Sequence, residues 1–218
     1  MRKFSLKRDD IQKILLAKEK ELAFEEGFKL LYCPWERINS AQLAFLSLNP
    51  GRPPNQESLR VVSDERGNSY VVEREINKSP ITEQYLKFCE LLGVNPNAVL
   101  SGVIFPFRSN AWKSLTIFQR QQGLALGSQL WKSILHEKIR LVVAVGNETA
   151  KILIDIFDAK KEKCVPSGWG NISLRRFIGH NGVKIVQLPH LSRFKLLSND
   201  RFLPPLKEVF EGTLGENI

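Results

Sequence analysis

The sequence predicts an α/β fold, in which helices cover both faces of a mainly parallel β-sheet. Apolar runs of strand length alternate along the chain with segments whose apolar residues recur at helical spacing. The run Leu141–Val145 is apolar throughout, which is typical of a parallel strand buried on both faces. With 218 residues and 43% hydrophobic content, the chain can bury one substantial core. We therefore expect a single domain over residues 1–218.

The first third of the chain begins with an amphipathic segment. Over residues 8–31, apolar positions recur with helical spacing among Lys and Glu residues, which predicts an N-terminal helix 8–31 packed on the outside of the sheet. Residues 43–48 are apolar and predict the first strand. Residues 49–79 are polar and irregular, so we expect a long loop there, with at most a small hairpin near Gly67.

The middle of the chain alternates helices with strands. Ser79-Pro80 is typical of a helix start, and Gly93 is typical of a helix end. The remaining predicted elements of this region are a buried strand at 99–105, a helix at 124–136, the strand Leu141–Val145 and a helix at 148–157. Strands that alternate with helices in this way are joined by right-handed crossovers in a parallel sheet.

The last quarter of the chain is less regular. Residues 158–171 are basic and contain glycine, which indicates a connection without regular structure. Residues 172–178 and 183–188 are strand candidates on either side of the turn His180-Asn181-Gly182, and they predict an antiparallel edge of the sheet. A final helix is expected to begin near Pro204-Pro205.

The charge of the chain indicates a polyanionic partner. Lys and Arg total 32 against 23 Asp and Glu, which gives a formal charge of +9 at pH 7 and a pI near 9.6. A basic protein attracts nucleic acid through its long-range field, although many basic proteins bind none. Nucleic acid is therefore the leading candidate partner. Charge alone does not establish this partner, so the residues of the candidate site must support it.

The cysteines predict neither a metal site nor a disulfide framework. Cys33, Cys89 and Cys164 are far apart, and no Cys or His cluster has the spacing of structural zinc. We expect free thiols, no metal and no cofactor. The sequence also contains no apolar stretch of signal-peptide or membrane-spanning length. We therefore expect a cytoplasmic monomer without membrane contact.

Two polar segments, each directly after a predicted strand, form the candidate site. Asn49-Pro50-Gly51-Arg52 follows residues 43–48, and Pro189-His190-Leu191-Ser192-Arg193-Phe194 follows residues 183–188. Ligands bind at the carboxyl ends of strands in open α/β sheets. The first segment can turn sharply and let a flat ligand approach its backbone, whereas the second offers an imidazole, a hydroxyl, a guanidinium and an aromatic ring. An ordinary turn and a loop histidine bonded to a backbone carbonyl are the alternative interpretations.

These segments resemble the two signature motifs of the uracil-DNA glycosylase superfamily. Residues 46–51, Leu-Ser-Leu-Asn-Pro-Gly, are similar to the first motif of its single-strand-selective monofunctional and mismatch-specific branches. Residues 188–194, Leu-Pro-His-Leu-Ser-Arg-Phe, resemble its His-Pro-Ser motif. The resemblance implies a three-layer α/β/α sandwich and a monofunctional DNA-repair glycosylase. Such an enzyme hydrolyses the N-glycosidic bond of a flipped uracil or other damaged base in DNA.

The resemblance also implies roles for individual residues. Asn49 would position the attacking water, and His190 would stabilise the negative charge that develops on the departing base. The residues expected to bind the base are Pro50, Gly51, Tyr70 and Phe105, with Tyr70 as the stacking aromatic. The residues expected to contact DNA are Arg52, Arg108, Ser192 and Arg193 through phosphates, and Phe194 as an apolar wedge in the base stack.

The chain departs from the pattern of the family at two places. Leu191 replaces the proline of His-Pro-Ser, and the second strand, Leu100-Ser101-Gly102-Val103, lacks the Asn that reads the pyrimidine edge in uracil-selective members. The identity of the excised base therefore stays open. The alternative function is a catalytically inactive DNA-binding relative of the same fold. An unrelated hydrolase or nucleotide-binding protein is disfavoured, because the sequence contains no GxSxG, GxxxxGKS/T or GxGxxG motif.

Overall fold

A computed structural model describes residues 7–51, 59–76, 79–109 and 111–213 of the chain. The strands in these ranges are β1 (Phe28–Lys29), β2 (Leu43–Ser47), β3 (Arg60–Val61), β4 (Leu100–Val103), β5 (Leu141–Val145), β6 (Lys160–Pro166), β7 (Ser173–Ile178) and β8 (Lys184–Leu188). The α-helices are α1 (Arg8–Glu21), α2 (Arg37–Ser40), α3 (Ser69–Arg74), α4 (Pro80–Leu92), α5 (Ile117–Ile134), α6 (Asn147–Phe157) and α7 (Leu203–Phe210).

The main sheet is mostly parallel. Its strand order is β4-β2-β5-β8-β7-β6, in which β4, β2, β5 and β8 run parallel and β7 and β6 add an antiparallel edge. The register places Leu46 of β2 beside Ala144 of β5, and Ala144 beside Gln187 of β8. The carboxyl ends of these three strands therefore lie level along one edge. The predicted mainly parallel sheet and its antiparallel edge are confirmed.

Helices cover both faces of this sheet, because neighbouring residues of a strand point to opposite sides. Ala44 and Leu46 of β2 are buried in a core shared with α1, α5 and α6. Leu43 and Phe45 of the same strand are buried in a second core, shared with α4 and α7. A central strand can therefore be apolar at every position, as β5 is, and the arrangement is compatible with three layers.

The predicted helix 8–31 is wrong in its second half. α1 ends at Glu21, and the backbone then takes positive φ angles at Ala23 (52°) and Gly27 (81°). These left-handed conformations cannot continue a right-handed helix. Phe28–Lys29 instead pairs with β3 in parallel. The apolar residues of this stretch fill the core as an irregular segment and a strand.

Two predicted loops contain regular structure. Residues 49–79 include β3 and α3 rather than a hairpin, and Asn68 caps α3 by accepting a hydrogen bond from the Tyr70 backbone N–H at 3.1 Å. Residues 158–171 include β6, the edge strand of the sheet, in which only Val165 is fully buried. Because the other side chains of β6 are mostly charged and exposed, its sequence lacks the apolar signal of a strand.

The long helices begin and end at recognisable caps. Ser79 caps the start of α4, and Gly93, with a φ of 65°, ends it as predicted. α5 begins at Ile117, earlier than the predicted 124, because Thr116 and Gln119 form a capping box. None of the helices in the described ranges is both long enough and apolar enough to cross a bilayer.

Candidate functional site

Asn49 and His190 lie at the same edge of the sheet. Each follows the last residue of its strand by two positions, Asn49 after β2 and His190 after β8. Since β2 and β8 flank β5 and end level with each other, two strand spacings, roughly 10 Å, separate the two strand axes. The parallel topology therefore places the two predicted motifs beside one another.

A cavity of about 400 Å³ opens at this edge. Its wall includes Leu48 from the first motif and His190 and Phe194 from the second. The rest of the wall comes from residues 145–149 at the start of α6, from residues beside β7 and from Gln187. Asn49 itself is not part of the wall, although its neighbour Leu48 is. The volume is in the range of small-molecule pockets and is sufficient for a nucleotide base.

Arg108 is buried and holds the first motif in place. The residue is 4% exposed, and its Nη1 donates to the Gly51 carbonyl at 2.7 Å while its Nε donates to the Leu59 carbonyl at 3.2 Å. The prediction that Arg108 contacts a DNA phosphate is therefore wrong, because its guanidinium lies inside the protein. Arg108 instead fixes the turn that follows Asn49.

The first motif is tied to the segment after β4 as well. The backbone N–H of Phe105 donates to the Leu48 carbonyl at 2.7 Å. The half-buried Asn49 donates through Nδ2 to the Pro50 carbonyl at 3.3 Å. Its amide nitrogen is therefore occupied locally, and Oδ1 is the atom that Asn49 can offer as an acceptor.

The second motif is anchored by Leu191. This residue is fully buried in the core below α7, and the backbone N–H groups of Arg193 and Phe194 both donate to the His190 carbonyl at 2.9 Å. Leu191 stands where the motif that this segment resembles has proline. The buried side chain and the tight turn restrict this segment by packing rather than by a proline ring.

The environment of His190 lowers the pKa of its imidazole. Its Nδ1 lies 2.7 Å from the Ser192 hydroxyl oxygen. Although His190 is exposed at the surface, desolvation by the neighbouring protein lowers its pKa below the ordinary value of 6.5. A lowered pKa favours the uncharged ring at pH 7. When the Ser192 hydroxyl donates to Nδ1, the ring proton is on Nε2, which is then a hydrogen-bond donor.

Gln187, on β8, also belongs to the site, although it is not among the site residues predicted from the sequence. Gln187 is 7% exposed, and its Nε2 donates to Asn147 Oδ1 at 2.7 Å. Gly146, with a φ of 95°, lets β5 turn directly into α6, so that the free N–H groups of the helix start lie at the cavity wall. A single amide inside the buried run that follows Lys184 in β8 is the signal in the sequence that identifies Gln187.

The two aromatic residues expected to bind the base are buried in the cores. Tyr70 is 1% exposed, and its ring centroid lies 4.5 Å from that of Tyr85. Phe105 is fully buried, with ring centroids of Phe24 and Trp112 at 5.6 and 5.1 Å. The prediction that Tyr70 and Phe105 face the base is therefore wrong, because other side chains already surround both rings.

The outer part of the second motif lies at the surface. Arg193 is exposed, and its guanidinium carbon lies 5.4 Å from the centroid of the Phe194 ring. Phe194 is half-buried and meets Trp169 nearly perpendicularly, with ring centroids 5.8 Å apart. The phosphate contacts of Ser192 and Arg193 and the wedge role of Phe194 stay predictions. Arg52 lies outside the described residues.

The polar groups at this edge of the sheet include amides, an imidazole, hydroxyls and guanidinium groups, together with the carboxylate of Glu148, which pairs with Lys151 at 3.1 Å. Amides, hydroxyls and guanidinium groups are common in contacts with nucleic acids. Within the described ranges, no three His, Cys, Asp or Glu side chains are grouped as ligands for a metal ion. Neither a protein-family model nor a curated protein matches the sequence of this chain.

Proposed function

We propose that the protein is a DNA glycosylase of the uracil-DNA glycosylase type, which hydrolyses the N-glycosidic bond of a damaged base flipped out of DNA. The observation that supports this most directly is the position of Asn49 and His190, each two residues beyond the level ends of β2 and β8. The cavity beside His190 has a volume of about 400 Å³ and can accept an extruded nucleotide.

In the proposed reaction, His190 stabilises the leaving base. As the glycosidic bond breaks, negative charge develops on a carbonyl oxygen of the base, and a donor placed at that oxygen lowers the barrier. The neutral ring of His190, with Ser192 bonded to Nδ1 at 2.7 Å, offers Nε2–H for this purpose. Ser192 is then a positioning residue that selects the tautomer of His190.

Asn49 positions the attacking water in this mechanism. Its Nδ2 donates one hydrogen bond to the Pro50 carbonyl, and Oδ1, the acceptor of the amide, accepts a hydrogen bond from the water. An amide oxygen is too weak a base to remove a proton from water. Most of the rate enhancement must therefore come from stabilising the leaving base, which makes His190 the more important of the two residues.

Charge supports DNA as the substrate. The chain carries a formal charge of +9, and Arg175 and Arg193 are exposed at or beside the cavity. Guanidinium groups in these positions can contact phosphates on either side of the flipped nucleotide.

The proposal is tested by base release from end-labelled oligonucleotides that carry uracil, hypoxanthine or xanthine. We expect the wild-type protein to generate abasic sites from at least one of these strands. His190→Ala should reduce the rate by roughly 10² to 10³, as removal of a donor to a developing oxyanion does. Asn49→Ala should reduce the rate by a smaller factor, because it removes only the group that positions the water. His180→Ala is the matched control, because His180 is exposed in the turn before β8 and its ring Nδ1 lies 2.7 Å from the Phe157 carbonyl oxygen, away from the cavity. Equal rates for His190→Ala and the wild type would contradict the mechanism.

A catalytically inactive DNA-binding protein is the second candidate function. The stretch Leu100–Val103 of β4, where uracil-selective members of the family have an Asn, is buried, and its one polar side chain, Ser101, accepts a hydrogen bond from Asn68 at 2.9 Å. It therefore offers no polar group to a base. Tight binding to every oligonucleotide without release of any base would favour this second function.

A further inference from the structure

A second aromatic surface lies next to the proposed site. Trp169, in the connection between β6 and β7, keeps 37% of its surface exposed. Its indole stacks on Phe202, with ring centroids 5.1 Å apart and an interplanar angle of 24°. Phe194, which meets the same indole at 5.8 Å, also forms part of the wall of the His190 cavity. Trp169 thus contacts a residue of the proposed site, Phe194, directly.

A second cavity, also of about 400 Å³, opens against Trp169 and Phe202. Gly170, Asn199 and Arg201 complete its wall. Since Phe194 borders the first cavity and Trp169 the second, a pair of contacting aromatic rings separates the two cavities. A strand that leaves the first cavity past Phe194 therefore meets Trp169 next.

The connection holds the indole in a defined position. Its backbone turns at Gly168 and Gly170, with φ angles of 78° and 53°. Arg201 Nη2 donates to the Gly168 carbonyl at 3.0 Å, and the Trp169 backbone N–H donates to the Ser167 hydroxyl at 3.1 Å. A rigidly presented ring loses little conformational entropy when a ligand stacks on it.

The charge around this surface matches a nucleic-acid strand. The guanidinium carbon of Arg201 lies 4.6 Å from the Phe202 ring centroid, and that of Arg193 lies 5.4 Å from the Phe194 ring centroid. Both arginines are exposed, and neither has a carboxylate partner in the described part of the chain. Aromatic rings interleaved with guanidinium groups are typical of surfaces that stack single-stranded bases and follow their backbone.

We propose, on the basis of the proposed function, that Trp169 stacks on the base next to the excised nucleotide and that the substrate is single-stranded DNA. A base can reach the indole only when it is unstacked from its own neighbour, which favours a single strand over a duplex. The excised nucleotide occupies the His190 cavity, and the adjacent base occupies the cavity beside Trp169.

The test is a double-mutant cycle between the indole and single bases of the DNA. Affinities are measured by fluorescence anisotropy for the full-length protein and a lesion-free oligothymidine strand, and for strands in which one residue at a time lacks its base. Trp169→Leu should weaken binding to the complete strand by roughly 5- to 100-fold, whereas Trp169→Phe should restore most of it. At one position of the strand, removal of the base should weaken binding by the wild type by a similar factor. The same removal should leave the affinity of Trp169→Leu unchanged. A duplex should bind the wild type and Trp169→Leu equally.

Phe118→Leu is the control, because Phe118 is 61% exposed at the start of α5 and lines neither cavity. Thermal unfolding of each variant shows whether the fold is kept. Equal affinities of Trp169→Leu and the wild type for the complete strand would overturn the inference. The inference would also be overturned if Trp169→Leu weakened binding by the same factor for every strand, whichever base was missing. The lesion-free strand separates this test from base release. If Trp169 and one base prove to be coupled but no base is released, the stacking role stands and the proposed function fails. If base is released but no coupling to Trp169 is measured, only the role of Trp169 is rejected.

Discussion

At the residue scale, the proposed chemistry depends on a pair of neighbours in the second motif. Ser192 and His190 are two residues apart and are joined through Nδ1 at 2.7 Å. Leu191 between them is fully buried, which turns the two polar side chains to the same exterior side. The motif therefore combines an apolar anchor with a paired hydroxyl and imidazole.

Replacing Ser192 separates its positioning role from a phosphate contact. Ser192→Ala should lower the single-turnover rate of base release by about five- to tenfold, the equivalent of one hydrogen bond. Affinity for DNA should stay unchanged, and Ser192→Thr should restore the rate because it keeps the hydroxyl. If Ser192 instead holds a phosphate, Ser192→Ala would weaken binding and reduce its salt dependence. Anisotropy titrations at two salt concentrations, run beside the rate assay, distinguish the two roles.

The motif residues could be predicted from the sequence, but the burial of their neighbours could not. Asn49 and His190 follow recognisable strands, so their common edge follows from a parallel sheet. Arg108 is buried because two carbonyls, of Gly51 and Leu59, come from distant segments to accept its N–H groups. No local pattern shows such a partnership, and an arginine is normally assigned to the surface.

At the element scale, a buried ion cluster joins β1, α3 and the segment between β3 and α3. The Asp64 carboxylate is 4% exposed and accepts hydrogen bonds from Ser69 at 2.8 Å and from Arg66 Nε and Nη2 at 2.9 Å. Lys29 Nζ lies 3.3 Å away. Burial alone would raise the pKa of Asp64, but the hydrogen bonds from Arg66 and Ser69 and the charge of Lys29 outweigh it and hold the pKa well below its usual range.

Asp64→Asn should therefore destabilise the protein by about 3 kcal/mol at neutral pH, because Lys29 loses its closest buried carboxylate. The folded pKa of Asp64 lies below its unfolded value of about 3.9, so its contribution is present above that pH and is lost as the pH falls toward the folded pKa. The difference in unfolding free energy between wild type and variant should shrink below about pH 4. Denaturant titrations from pH 7 to pH 3 measure this, with Asp155→Asn on the exposed face of α6 as the control. A constant difference across this range would rule out the linkage.

The same scale shows which elements a sequence can predict. α4 has a Ser79-Pro80 start and a Gly93 end, and each cap is a local interaction. β6 has no such signal, since its lysines carry no apolar alternation and only its pairing with β7 makes it a strand. α4 could be predicted because its caps are local, whereas β6 could not, because it depends on its pairing with β7.

At the scale of the whole molecule, one sheet divides two apolar cores. Cys33 is buried in the core shared with α1 and α5, and Cys89 is buried in the core shared with α4 and α7. Burial raises the pKa of each thiol to about 12. Cys164 is exposed on the edge strand β6. The three cysteines therefore report separately on the two cores and on the surface.

A thiol reagent should modify only Cys164 in the folded protein, because thiolates react and buried thiols at pKa near 12 supply almost none. Cys33 and Cys89 should become reactive together as denaturant is added, if the two cores unfold as one unit. Mass spectrometry of the labelled protein measures each site, and Cys164→Ser should show no labelling before unfolding. Separate transitions for Cys33 and Cys89 would show that the two faces of the sheet unfold independently.

The level ends of β2, β5 and β8 have a consequence for how the proposed activity can change in evolution. Insertion of one residue into a strand reverses the faces of all its following side chains, which would exchange the two cores. Insertions or substitutions after Ser47, Val145 and Leu188 leave that register untouched. Under the proposed function, new base preferences are therefore accessible through the connecting segments alone, and the sheet can remain a fixed frame while the loops on it diverge.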